Sequence, residues 1–195
     1  MTPHRTAIKI YFAEGVAIDP PKIVPLFHEW IRARTAEGLL IDVADYSHVH
    51  QGPSVVLVGH EVDYSIDFSE GRAGLQVIRK RPVEGTLEQD LLSGLRRVLA
   101  AALNLQKKSD PHPPVRFRTD ELRVQVIDRL RYPHEPVQVD AVRRSVESVI
   151  DPVFRVSGLR VEVEAIDRRE PVTVRIMAPD APDLDTLLSR LATSA

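Results

Sequence analysis

Leu39-Leu40-Ile41-Asp42-Val43-Ala44-Asp45-Tyr46 and, after the loop 47–53, Ser54-Val55-Val56-Leu57-Val58-Gly59-His60 form the stretch on which the fold turns. Both runs are rich in β-branched and aliphatic residues, and Gly52-Pro53 punctuates the loop between them. Folded back as a hairpin with Tyr46 opposite Ser54, they place Asp42 opposite Val58 and Leu40 opposite His60. Ile41, Val43, Val55 and Leu57 then make one apolar face for helices to cover. Asp42, Tyr46, Val56, Val58 and His60 share the other face. Val55 to Val58 is wholly apolar and reads as a central strand covered on both sides.

Upstream, Ile8, Ile10 and Phe12 alternate with Lys9 and Tyr11, so residues 7–12 form a strand. Asp19-Pro20-Pro21 starts a helix, with Asp19 as N-cap and proline in a first turn that misses no N–H. Ile23, Leu26, Phe27, Trp30 and Ile31 form its apolar stripe, and Gly38 reads as its close. Trp30, the single tryptophan, is expected as a core anchor. Downstream, Tyr64, Ile66 and Phe68 alternate with polar residues in a half-exposed strand. Residues 69–72 turn the chain, and 73–79 return as a strand. Thr86 and Gln89 then make a capping box. The helix it opens carries Leu87, Leu91, Leu95, Val98, Leu99 and Ala102 on one face and ends near Lys107-Lys108.

Ser109-Asp110-Pro111-His112-Pro113-Pro114 is a stiff, extended spacer. It divides an N-terminal half, 1–108, from a C-terminal half, 115–195, with 109–114 as linker. Residues 121–128 form a strand, and Val139, Val142, Val146, Val149 and Ile150 mark a helix. Leu159, Val161, Val163 and Ala165 alternate with Arg160, Glu162 and Glu164, a strand with one solvated face. Val172, Val174 and Ile176 follow as a strand, then a last helix on Leu184, Leu187, Leu188 and Leu191, capped by Asp180 or Asp183. The fold class is therefore α+β: two similarly ordered halves, each a mainly antiparallel sheet with helices on one face. The ferredoxin-like split β-α-β plan is the nearest named arrangement. The open sheet face is where function is expected.

Composition narrows the classes. Of 195 residues, 43% are hydrophobic and 28% charged, as in ordinary globular proteins. With no cysteine, thiol catalysis, disulfides and thiolate metal sites are excluded, which fits a cytoplasmic setting. The first residues carry no apolar signal core, and no apolar run approaches the ~20 residues of a membrane span. The formal charge of −2, with signs interspersed, argues against nucleic acid as partner; Arg79-Lys80-Arg81 is the only edge that offers it a weak case.

The polar residues that could carry chemistry gather at 42–63: Asp42, Asp45, Tyr46, His48, His50, His60, Glu61 and Asp63. His48 and His50 are the metal-ligand candidates, because an H-x-H loop can chelate. His60 does not complete their set: seven residues of strand, at about 3.3 Å each, hold it over ~20 Å away. Asp42 and His60 pair better, as diagonal neighbours on one face, where a carboxylate raises an imidazole pKa and fixes its tautomer. Asp42, His60 and Tyr46 are thus the catalytic candidates. Asp42, Asp45, Tyr46, His60, Glu61 and Asp63 are the ligand-binding set. No activated nucleophile, Walker loop, dinucleotide fingerprint or RNP pattern is present.

The segment Leu40-Ile41-Asp42-Val43-Ala44-Asp45-Tyr46-Ser47-His48, continued by Gly52-Pro53 and by 56–64, resembles a family of bacterial proteins of similar length with no assigned function. The resemblance covers mostly the first half and implies a bacterial, cytoplasmic setting and no activity; the cofactor, if any, is left unknown. The preferred reading is a non-catalytic ligand-binding or protein-interaction module that self-associates, with a small molecule as a further partner. The alternative is a metal-dependent or acid–base enzyme centred on Asp42 and His60.

Overall fold

In a computed structural model of the chain, residues 2–49, 51–81, 84–108, 115–164 and 169–193 are described. Among the described residues there are eight strands: β1 (Thr6–Phe12), β2 (Leu40–Asp45), β3 (Pro53–Gly59), β4 (Val62–Asp67), β5 (Gly74–Arg79), β6 (Phe117–Val126), β7 (Arg160–Val163) and β8 (Val172–Met177). The helical stripes make α1 (Pro20–Ala33), α2 (Leu87–Lys108), α3 (Pro136–Phe154) and α4 (Leu184–Thr193). All eight strands join one antiparallel sheet in the order β2-β3-β4-β5-β1-β6-β8-β7. The expected α+β class is therefore correct.

The sheet is continuous across the Pro-rich boundary, because β1 of the first half pairs with β6 of the second. The spacer 109–114 itself lies outside the described residues. Both β5 and β6 run antiparallel to β1 and flank it, so α2 connects two parallel strands with one strand between them. In the same way, α3 connects β6 to β7 around β8.

A row of facing residues, Tyr64, Val77, Ile8, Val124 and Val174, crosses the sheet and marks its apolar side. α2 packs on β1 and β5, α1 on β2 and β3, and α3 on β7 and β8; α4 closes over α2 and α3. The apolar residues beneath them form one cluster drawn from both halves. Trp30, fully buried, meets Tyr64 edge-on with ring centroids 6.4 Å apart.

Local chemistry explains most boundaries. At α2 the capping box forms as its sequence requires: the Thr86 amide donates to Gln89 Oε1 at 3.0 Å, and the Gln89 amide to Thr86 Oγ1 at 3.3 Å. Asp183 caps α4 by accepting from the Thr186 amide at 2.8 Å. Asp19 stands at the N-cap of α1 but its side chain makes no cap bond; Pro20 and Pro21 already remove two orphan donors. α1 ends before Gly38, with Arg34 taking the left-handed cap at φ 50°.

Two expectations about strands are corrected. The first concerns the β2–β3 register, which shifts between Leu40 and Asp42: Asp42 faces Val58 as expected, but Leu40 faces Gly59, and His60 falls in the β3–β4 turn. Ile41, the extra residue, is left 57% exposed instead of joining the covered face. The second concerns β4, which is buried on both sides; its polar residues Ser65 and Asp67 are as inaccessible as Tyr64 and Ile66. Ala165, expected at the end of β7, lies outside the described residues.

Candidate functional site

The 42–63 cluster is spread along one end of the sheet. Asp42 is exposed and accepts a bond from the Val43 amide beside it at 2.8 Å. Asp45 accepts from the Ser47 amide at 2.8 Å, and the hydrogen bonds from Ser47 hold its carboxyl below the usual aspartate value. Tyr46 is partly exposed, its ring 6.4 Å from that of His48. His60 and Glu61 make the exposed β3–β4 turn, and the His60 amide donates to Leu39 O at 2.8 Å. Asp63 fastens that turn, accepting from the Gly59 amide at 3.0 Å and pairing with Lys80 Nζ at 2.8 Å. Among the described residues no hydrogen bond or ion pair joins Asp42 to His60, and no group of three His, Asp or Glu is placed to hold a metal ion. His50 lies outside the described residues.

A denser constellation lies on the sheet face that carries no α-helix among the described residues. Strand alternation puts Lys9 and Tyr11 of β1 on that side, with Asp67 of β4, Gln76 of β5, Glu121 and Arg123 of β6, and Arg175 of β8. The register sets Lys9, Arg123 and Arg175 directly opposite one another, three cations in a row. Such a row is repulsive unless each member has an anion beside it, and here each does. Lys9 Nζ reaches Asp67 at 2.6 Å. Arg123 pairs with Glu70 at 2.6 Å and Glu164 at 3.1 Å. Arg175 pairs with Glu164 at 3.0 Å and lies 3.8 Å from Glu121. Arg72 forks onto Glu121 at 2.6 and 2.7 Å, and Arg118 bridges Asp120 and Glu121 at 2.8 and 3.5 Å. Lys9, Arg72, Arg118, Arg123 and Arg175 are thus balanced by Asp67, Glu70, Asp120, Glu121 and Glu164.

The β4–β5 connection folds over this face. A single 3-10 turn, Ser69–Gly71, brings Ser69 O and Oγ to Lys9 Nζ at 3.2 and 3.4 Å. Glu70 takes a left-handed φ of 62°, and its carboxylate accepts from Tyr11 OH at 3.3 Å. Arg72 lies 3.9 Å above the Tyr11 ring, a cation–π contact. Lys9 and Tyr11 are each only 1% exposed beneath this strap. Burial, with Glu70 adding to it, pushes the Tyr11 phenol far above its ordinary pKa. Hydrogen bonding from Arg72 pulls the Glu121 carboxyl down, and Glu121 raises Arg72 in return.

Lys9, Arg123 and Arg175 are not among the residues that strand alternation alone singles out, since it assigns them to a solvated face. The signal that could have found them is positional. Three strands that lie side by side each put one cation at the same level, and only the pairing of β1 with β6 reveals it. The chain matches no protein-family model, no curated protein and no solved structure.

Proposed function

We propose that the chain is a non-catalytic binding module that works as self-associated copies and makes its contacts through the surfaces of its sheet. The observation that supports this reading is the balanced lattice on the helix-free face. Lys9 directs its ammonium at Asp67 and Ser69, and the carboxylates of Glu70, Glu121 and Glu164 each receive an arginine. Groups held this way are occupied as acids and bases. They are also fixed before any partner arrives, which lowers the entropy cost of binding. The centre of the lattice is buried beneath the strap, so the fixed charge it offers a polar protein surface is that of Arg72, Arg118, Asp120 and Arg175 at its rim, where such charge selects register more than it adds affinity.

In the same reading the sheet is two interlocked ferredoxin-like units that share β1 and β6. One unit is β4-β5-β1-β6, with β2 and β3 inserted before β4. The other is β1-β6-β8-β7, in which β1 fills the fourth place. Multi-angle light scattering over a wide concentration range tests self-association. The expected mass is twice 21.9 kDa; a mass of 21.9 kDa at every concentration would overturn it.

A further inference from the structure

The sheet has two edges among the described residues, β2 and β7, and they are built differently. In an antiparallel ladder, alternate residues turn their N–H and C=O towards the neighbouring strand and the rest turn them outwards. On β2 the Tyr46 amide bonds Ser54 O, so Ala44 and Asp42 also face inwards and Val43 faces outwards. The Val43 amide is taken by the Asp42 carboxylate at 2.8 Å. The bulge at Ile41 twists the strand further from any partner. An aspartate on an outward amide next to a bulge guards an edge against further pairing.

Among the described residues β7 carries neither device. The Glu164 amide bonds Thr173 O at 3.0 Å, so Glu162 and Arg160 also face inwards and the N–H and C=O of Val161 and Val163 face outwards. The segment Leu159-Arg160-Val161-Glu162-Val163 is also self-complementary. Laid antiparallel on itself about a two-fold axis at Val161, it sets Arg160 opposite Glu162 twice and Leu159 opposite Val163 twice. The charged pairs fall on the helix-free face and the apolar ones on the helix side. Beside the strand, α3 and β7 leave an open groove of about 420 Å³ lined by Pro152, Leu159 and Val161 on its apolar side.

We infer that a second copy of this chain pairs with β7 edge to edge, antiparallel and centred on Val161, so that one sheet runs through both subunits. This inference rests on the self-association proposed above and specifies its surface. Two hydrogen bonds between the Val161 residues sit at the axis, with those between Leu159 and Val163 on either side. The partner is selected by charge register: any shift by one residue along the strand sets Arg160 against Val161 or Val163 and loses both ion pairs.

The test reads the dimer dissociation constant by analytical ultracentrifugation. Arg160→Glu faces Glu162 of the second copy, and Glu162→Arg faces its Arg160. Each variant alone turns two attractive pairs repulsive and weakens the dimer about tenfold or more. Mixed together, the two variants are complementary at both positions and form a heterodimer. Val161→Pro removes the two central N–H donors and leaves the inward ladder intact, so it gives a folded monomer. Thermal unfolding of each variant separates loss of the dimer from loss of the fold. A wild-type dimer whose constant is unchanged by these substitutions, or a mixture that stays monomeric, overturns the β7 surface and leaves self-association standing. A wild-type chain that is monomeric throughout overturns both.

Discussion

Replacing Lys9 by methionine removes the ammonium and keeps the length of a stem that is almost wholly buried. Its partner Asp67 is then left charged, with side-chain exposures of 1% and 3% recorded for the pair. Removing one member of a buried ion pair costs about 3–5 kcal/mol, because the survivor keeps its desolvation penalty. The Asp67 carboxylate retains bonds from the Ser69 amide at 3.3 Å and from Ser69 Oγ, which places the loss near the lower end, about 3 kcal/mol. For a chain of this length that is a fall in Tm of roughly 6–12 °C. Trp30, the only tryptophan and fully buried, reports unfolding by its fluorescence in urea. The double variant Lys9→Met/Asp67→Leu removes both charges and should recover most of the loss, since apolar replacement of a buried pair is often neutral. If Lys9→Met costs less than ~1 kcal/mol and the double variant is worse, the ammonium is in water and the lattice on the open face is not fixed.

Further outcomes follow from other contacts. Asp90→Ala on α2 leaves the buried Arg79 guanidinium without its carboxylate and Thr6 Oγ1 without its acceptor, and should cost about 3–5 kcal/mol by urea denaturation. In Gly59→Ala the new methyl group collides with the Val62 carbonyl across the β3–β4 turn, so a loss of ~1–3 kcal/mol is expected in the same assay. Thr86→Ala removes the capping hydroxyl of α2 and should cost about 1 kcal/mol. Glu121 has a folded pKa depressed below 4.5 by Arg72, so its contribution is present above about pH 4.5 and is lost as pH falls through the folded value. An acid titration of stability should therefore be shallower below pH 4.5 for Glu121→Gln than for wild type; equal slopes would refute the assignment.

The periodic elements were legible because their causes are local. Ile8, Ile10 and Phe12 alternate within one strand, and the Thr86–Gln89 box is complete within four residues. Asp42 opposite Val58 was readable from the hairpin alone. The shift that puts Leu40 opposite Gly59 was not, since a bulge leaves no mark in alternation. Sequence reads β4 as half exposed because its polar residues Ser65 and Asp67 look solvated, yet both are buried. Asp67 is covered by the Ser69 strap and by Lys9, 58 positions away along the chain. The lattice was hidden for the same reason: Arg123 and Glu70 meet only after β1 has been placed between β5 and β6.

That placement carries the open face, the shared core and the two edges together. It is tested most directly by Hα–Hα nuclear Overhauser contacts across β1 and β6. The Ile127 amide bonds Arg5 O at 2.8 Å, which makes Thr6–Val126, Ile8–Val124 and Ile10–Leu122 the close, non-hydrogen-bonded pairs of that ladder. One continuous sheet predicts strong contacts at all three. Their absence, or contacts from the Ile8 Hα to a different strand, would mean that the halves do not join, and the lattice and its edges would fall with that join.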